Sequence, residues 1–167
     1  FRPLGIDGNA PFDPLGGELL ALGQGPRHMG WLNAAVRELN PKHTMRITFR
    51  PHPSHQDLRL DQSFGATTKV KTALHRDLLA ARAVLTHSSA AGLIALARGI
   101  PVVCASGCGY SELCVPFSEF SNNLPCPDQD VVQDFLCSYA YSLWKAEEIE
   151  TGAPFAFLRG SKPCSKQ

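Results

Sequence analysis

Arg50 and His52 lie in the segment Arg50-Pro51-His52-Pro53, where two prolines restrict the backbone around one histidine. An arginine guanidinium can bind a phosphate through two parallel hydrogen bonds, and a histidine can donate a hydrogen bond or exchange a proton. We therefore predict that Arg50 and His52 contact an anionic ligand and take part in its chemistry. Two other interpretations stay open: a proline-rich turn with a solvated arginine, and a zinc pair formed by His52 with His55.

The segment His87-Ser88-Ser89 follows an apolar run and precedes a stretch of small apolar residues at 90–98. Serine is a favoured N-cap, and the free backbone N–H groups at the start of a helix can also bind phosphate. Both roles are compatible, because one serine can cap the helix while the other contacts a ligand. We predict that His87, Ser88 and Ser89 bind the phosphates of a ligand.

Two glycine-containing segments are further candidates. Gly23-Gln24-Gly25 follows an apolar run, but the next glycine is Gly30, so the dinucleotide fingerprint Gly-x-Gly-x-x-Gly is not formed. We predict that Gly23, Gln24 and Gly25 bind ligand, with a plain tight turn as the alternative. Tyr110, in a glycine-rich segment, is predicted to close over a base or sugar, with an ordinary long loop as the alternative.

The sequence contains neither the Gly-x-Ser-x-Gly nucleophile motif nor the Gly-x-x-x-x-Gly-Lys-Ser/Thr phosphate loop. A general base could come from His28, His52 or His87, which each follow a predicted strand. Cys104, Cys108 and Cys114 do not have the spacing of a common zinc site, so we predict no metal.

These candidates need elements to position them, and the apolar runs supply a regular alternation of strands and helices. Such an alternation predicts an α/β fold: a single Rossmann-like domain with a parallel sheet and helices on both faces. In these sheets ligands bind beyond the carboxyl ends of the strands. We predict a lead-in or linker over 1–17, the domain over 18–158 and a tail over 159–167. Within it we predict strands near 18–22, 45–49, 83–86 and 101–104, and helices near 31–39, 74–81, 90–98 and 128–150.

Composition excludes several classes of protein. The 167 residues carry a formal net charge of +1 with no basic run, so we predict no nucleic-acid partner. No run of 18 apolar residues is present, so we predict no transmembrane segment. Six cysteines without a Cys-x-x-Cys pair are typical of reduced thiols, with Cys104 buried, which predicts a cytoplasmic protein.

A family resemblance rests on four segments: Arg50-Pro51-His52-Pro53, the stretch at 77–89, Gly99-Ile100-Pro101-Val102 and Tyr110. Together they resemble the nucleotide-sugar half of two-domain (GT-B) glycosyltransferases, with the capsule-polysaccharide and Kdo transferase group as the nearest in motif. The last predicted helix, with Tyr139, Trp144, Glu148 and Ile149 and followed by Gly152, resembles the C-terminal segment of that group. The resemblance covers roughly residues 18–158.

The resemblance implies a nucleotide-sugar donor, UDP- or CMP-linked, and no other cofactor. Arg50 and His52 would face the donor phosphates, Ser88 and Ser89 would hold the phosphates at the helix start, and Gly23 to Gly25 would line the cleft. It also implies an acceptor-binding half as partner, separate or missing, since residues 1–17 are too few for one. Such a partner could bring a cytoplasmic protein to the membrane periphery.

One position departs from the family pattern. Ile94 stands where many such enzymes have a glutamate that holds the ribose. The alternatives are therefore a catalytically inactive binding or inhibitor protein on the same scaffold, and a sugar-nucleotide epimerase-like domain. The acidic residues usual near the Ser-Ser position of the epimerases are absent here.

Overall fold

A computed structural model describes residues 17–142 and Glu150. Residues 1–16 of the lead-in predicted at 1–17, the tail at 159–167 and the end of the last predicted helix lie outside these residues. The chain divides into two compact units, residues 1–132 and 133–167, and the division falls within the last described helix.

The first unit contains a five-stranded sheet in which every pair is parallel. The strands are β1 (Glu18–Leu22), β2 (Arg46–Arg50), β3 (Thr67–Thr68), β4 (Ala81–Thr86) and β5 (Val102–Cys104), in the order β3-β2-β1-β4-β5. The helices are α1 (Pro26–Leu39), α2 (Leu74–Ala80), α3 (Ala90–Leu96) and α4 (Gln129–Ser142). The predicted α/β, Rossmann-like parallel sheet is confirmed.

The central strand β1 is buried along its whole length, as its unbroken apolar run requires. Leu19 and Ala21 belong to a core cluster with Leu32 and Val36 of α1. Leu20 is equally buried, and because side chains alternate along a strand it points to the opposite face of the sheet. The sheet is thus covered on both faces, which lets its strand ends converge on one rigid edge.

Strand order reverses beside β1. From β1 the chain crosses through α1 to β2 on one side, whereas from β4 it crosses through α3 to β5 on the other. Right-handed crossovers in opposite directions place α1 and α3 on opposite faces, so the loops after β1 and β4 diverge and leave a crevice between them. The β1–β4 boundary is therefore the place where this topology favours a ligand.

Two local predictions are confirmed at the ends of α3. The Ser89 hydroxyl accepts the Ala91 N–H at 3.2 Å, which is an N-cap contact. Gly99 adopts a φ of +74°, the left-handed conformation expected of a residue that follows a helix.

Other boundaries differ from the predictions. Thr67 and Thr68, which lie outside every predicted element, form the short strand β3 and pair with β2. The segment between the fourth predicted strand and the last predicted helix contains two 3-10 turns, at 111–113 and 117–119. Within it, Phe120 and Leu124 are buried and join the core on the α1 face. Short polar strands and isolated loop aromatics have no periodic pattern, so the sequence did not predict these features.

Helix α4 begins beside Asp128, whose carboxylate accepts the backbone N–H groups of Asp130 and Val131. The start predicted near Asp128 is confirmed. Val131 is exposed, whereas Val132 is buried. In the second unit the rings of Phe135 and Tyr139 stack with centroids 6.0 Å apart.

No helix within the described part of the chain is both long and apolar enough to cross a bilayer.

Candidate functional site

A cavity of about 710 Å³ opens at the carboxyl ends of β1, β2 and β4. We call it the strand-end cavity. It lies at the reversal of strand order, and its volume is within the range of sites for small ligands. Ten of the described residues line it: Gln24, Gly25, Pro26, Arg27, His28, His52, His55, Ser88, Ser89 and Ala90.

The described residues that line the strand-end cavity include basic side chains and no acidic ones. Four of the ten residues, Arg27, His28, His52 and His55, have basic side chains, and none of the ten is acidic. The arginine is always charged and each histidine donates at least one hydrogen bond. The cavity is therefore chemically complementary to an anion.

His52 and His55 are brought together by a tight turn in which the His55 N–H donates to the His52 carbonyl at 2.8 Å. Their ring centroids lie 6.0 Å apart. The His52 Nδ1 accepts the Ser54 N–H at 3.2 Å, so in the neutral ring the proton is on Nε2. Nε2 of His52 is thus a hydrogen-bond donor whether the ring is neutral or charged.

His28 lies on the α1 side of the cavity, where its Nε2 accepts a hydrogen bond from Arg27 Nε at 3.0 Å. Its ring is 4.3 Å, centroid to centroid, from that of His87. Burial, then the neighbouring His87 and then Arg27 lower the pKa of His28. An anion in the cavity would oppose the effect of these cationic neighbours, so the site can take up a proton when it binds one.

Ser88 and Ser89 divide their roles. Ser89 caps α3, and its own N–H donates to the Thr86 hydroxyl at 3.2 Å. Ser88 instead faces the loop that follows β1: its N–H donates to Gln24 Oε1 at 2.8 Å and its hydroxyl accepts from Gln24 Nε2 at 3.3 Å. Gln24 and Ser88 together close the gap between β1 and β4.

The structure places Arg50 outside the cavity lining. Its guanidinium forms an ion pair with Asp77 and donates to the Thr72 carbonyl at 2.8 Å. The Arg50 side chain is 17% exposed and that of Asp77 is 3% exposed. The physical reason is that the buried carboxylate of Asp77 needs a cation, and Arg50 at the end of β2 supplies it. Arg50 therefore joins β2 to α2, and the cation of the cavity is Arg27.

Tyr110 also lies elsewhere than predicted. Its ring is buried, and its hydroxyl donates to the Ser89 carbonyl. Burial raises the pKa of Tyr110, which keeps the phenol protonated as a donor. A Cβ on Gly92 would lie 2.9 Å from Tyr110 Cζ, so the ring occupies the space that this glycine leaves open. Tyr110 therefore holds the backbone of Ser89 in place and is not among the residues that line the cavity.

Gly23 and His87 lie beside the cavity and are not among its lining residues. A Cβ on Gly23 would lie 2.9 Å from the Phe49 ring, so close packing explains this glycine. The His87 ring packs between His28 and Trp31, and its Nδ1 is 3.2 Å from the Ser88 hydroxyl. His87 thus orients groups that line the cavity.

Sequence reasoning missed Arg27 and treated His55 only as a zinc ligand. Arg27 follows Pro26 at the first turn of α1, and the helix start predicted further along left it out. Within the described residues, no three histidine, cysteine or acidic side chains are grouped so that they could hold a metal ion. The thiols of Cys104 and Cys108 are buried, away from the cavity lining.

In comparisons with family models, curated proteins and solved structures, the chain matches none of them.

Proposed function

We propose that the strand-end cavity binds the phosphate groups of a nucleotide sugar and that the chain is the donor-binding domain of a glycosyltransferase. The observation that carries this proposal is the charge of the cavity at the β1–β4 reversal. Four basic side chains and the Ser88 hydroxyl converge there, and none of the described residues that line the space has a carboxylate. A tetrahedral dianion matches this set of donors better than a neutral ligand does.

In sugar transfer the bond between the anomeric carbon and the phosphate oxygen breaks, and negative charge develops on the departing phosphate. Fixed donors aimed at that charge stabilise the transition state. Arg27 supplies a permanent charge, His52 Nε2 a hydrogen bond and His28 a site that can accept a proton. The acceptor, whose oxygen would form the new bond to the anomeric carbon, would come from outside these ten residues, and one of the three lining histidines or a group of the acceptor half would take its proton.

A second candidate is a binding protein without catalysis on the same scaffold. Ile94 favours it, because an isoleucine cannot form the hydrogen bond to ribose that the glutamate of the resembling enzymes forms, and Ile94 is not among the lining residues. The carboxylate that would hold a ribose in the resembling enzymes therefore has no counterpart among the lining residues. An epimerase-like activity is less favoured, since its acidic residues are also missing from the cavity.

Thermal unfolding with UDP, CMP and their sugar conjugates tests the proposal. A ligand at 100 times its dissociation constant adds about 2.7 kcal/mol of stability. We expect a shift in Tm that His52→Ala and Ser88→Ala both reduce. His75→Ala is the matched control, because His75 is an exposed histidine on α2 outside the cavity. If none of these nucleotides shifts the Tm, the proposal is wrong.

Release of free nucleotide from the bound donor separates the two candidates. A transferase given its acceptor half releases UDP or CMP with time, whereas the binding protein shows the Tm shift and releases none.

A further inference from the structure

Gln24 is hydrogen-bonded to the Ser88 backbone N–H, which is the group in the strand-end cavity best suited to bind an anion. The Ser88 N–H follows β4 at the strand-order reversal, where backbone amides commonly meet phosphate. In this structure that N–H donates to Gln24 Oε1 at 2.8 Å, while Gln24 Nε2 donates to the Ser88 hydroxyl at 3.3 Å. One carboxamide therefore bonds both the N–H and the hydroxyl oxygen of Ser88.

The two hydrogen bonds join residues 64 positions apart, from the loops after β1 and β4. A neutral carboxamide oxygen is a weaker acceptor than a phosphate oxygen, since hydrogen bonds to an ionised acceptor are about twice as strong. Arg27 and the cavity histidines add attraction for an anion and none for a carboxamide. A phosphate can thus replace Gln24 at the Ser88 amide with a net gain.

Gly25, the residue after Gln24, is the position at which the backbone could adopt a second conformation. Its φ of 178° is extended backbone that any residue can adopt. A Cβ there would have the His55 ring, at 3.8 Å, as its nearest neighbour, which is ordinary contact. Neither conformation nor packing in this structure requires a glycine at position 25. A glycine is therefore informative here, because it lowers the barrier to a second backbone arrangement.

From these contacts we propose that Gln24 is a latch: its carboxamide holds the Ser88 amide until a phosphorylated ligand displaces it, with Gly25 as the hinge. This inference rests on the proposed function, since it concerns the regulation of the same cavity. It predicts that Gln24 opposes ligand binding, whereas a residue that contacts the ligand would support it.

Calorimetric titration with inorganic pyrophosphate, at constant ionic strength, separates the two roles in the full chain. Removing the latch in Gln24→Ala should tighten pyrophosphate binding by about 2- to 10-fold, the range that corresponds to one neutral hydrogen bond. Gln24→Glu should weaken binding, because a carboxylate holds the amide more strongly and repels the anion. Gln62→Ala, at an exposed glutamine outside the cavity, should bind as the wild type does.

Hydrogen exchange at the Ser88 amide tests the latch without ligand. The wild-type amide should be protected, and Gln24→Ala should exchange it faster. Gly25→Ala tests the hinge: it should weaken pyrophosphate binding more in the wild-type background than in the Gln24→Ala background. Equal weakening in both backgrounds would overturn the hinge.

The outcomes distinguish failure of the latch from failure of the site. Weaker or unchanged binding in Gln24→Ala overturns the latch and leaves the cavity as the phosphate site. Unchanged exchange at Ser88 in Gln24→Ala also overturns the latch. Absence of pyrophosphate binding to the wild type and to Gln24→Ala alike overturns the latch together with the proposed function.

Discussion

His52 and Ser88 line one cavity although their strands are not neighbours: β1 lies between β2, which His52 follows, and β4, which Ser88 follows. Residues beyond the ends of non-adjacent strands can share a site because the loop after the middle strand is short. Gln24 and Gly25 belong to that loop, and they line the cavity between His52 and Ser88. The cavity thus depends on the order of strands in the sheet.

Arg50→Ala is expected to affect stability more than ligand binding. It leaves the buried Asp77 carboxylate with Thr72 Oγ1 at 2.7 Å and the more distant Lys69 Nζ at 3.7 Å. The partial compensation should limit the loss of unfolding free energy to about 2–3 kcal/mol. Urea denaturation measures the loss, and Arg76→Ala, at an exposed arginine on α2, is the control, with a change within about 0.5 kcal/mol.

The Arg50→Ala protein should still bind pyrophosphate within a few-fold of the wild type when most of it is folded. Loss of binding with retained fold would mean that the arginine does contact the ligand.

Anion binding is expected to strengthen as pH falls from 8 toward 5.5. The pKa of His28 is lowered by burial, His87 and Arg27, so His28 is neutral near pH 7. A bound anion raises this pKa, and the complex therefore takes up a proton that the free protein lacks. Arg27, His52, His55 and His87 are the other basic groups at or beside the ring. Sulfate is the suitable probe, because it stays dianionic over this range.

His28→Gln should reduce the slope of log affinity against pH, whereas His75→Gln should leave the slope unchanged. A slope that stays the same in His28→Gln would exclude His28 as a proton acceptor in binding.

Gly92→Ala and Tyr110→Phe are expected to couple. The alanine Cβ would press on the Tyr110 ring and hydroxyl, at a cost of about 1–3 kcal/mol, partly offset by the higher helix propensity of alanine. Tyr110→Phe alone loses the hydrogen bond to the Ser89 carbonyl, about 1 kcal/mol. Because phenylalanine also removes the clashing hydroxyl, the double variant should lose less unfolding free energy than the two single variants lose together.

Unfolding free energies of the two single variants and the double variant measure this coupling. Gly109→Ala is the control, since no atom lies within 4 Å of its Cβ position. Strictly additive losses would show that Tyr110 and Gly92 do not share one packing constraint.

Stability is expected to fall as pH drops from 7 to 5, and His43 should account for part of the loss. Burial lowers the pKa of His43, and its Nδ1 accepts the Met45 N–H at 3.1 Å. The folded state therefore holds a neutral ring, while the unfolded chain protonates near pH 6.5. The stabilisation is complete above that pH and is lost as pH falls toward the lower folded pKa.

His43→Asn, whose amide oxygen can replace Nδ1 as an acceptor, should flatten the dependence of unfolding free energy on pH between 7 and 5. His75→Asn should keep the wild-type slope. An unchanged slope in His43→Asn would show that the buried ring is not the titrating group.

The sequence was sufficient to predict the parts of the fold that rest on local pattern. The buried run of β1, the Ser89 cap and the left-handed Gly99 all follow from neighbouring residues. The site was only partly predictable. His52, Gln24, Gly25 and the serine pair line the cavity as the strand-end rule indicated, because the rule depends only on where parallel strands end.

The side-chain partners could not be predicted in the same way. Arg50 turns to Asp77, 27 residues away, and Tyr110 turns to Ser89, 21 residues away. Such pairs depend on which elements the tertiary fold brings together, and an arginine after a strand has no local feature that distinguishes an anion ligand from an ion-pair partner. Arg27 was missed for a different reason: α1 begins further upstream than the apolar spacing indicated, so Arg27 was not assigned to a helix.

The most direct test of the phosphate site is a crystal structure of the chain with UDP or CMP, whichever gives the larger Tm shift. The account predicts phosphate oxygens within about 3.2 Å of His52 Nε2 and the Ser88 N–H, with Arg27 beside them and Arg50 still on Asp77. A nucleotide bound away from the carboxyl ends of β1, β2 and β4, or a phosphate held by Arg50, would contradict it.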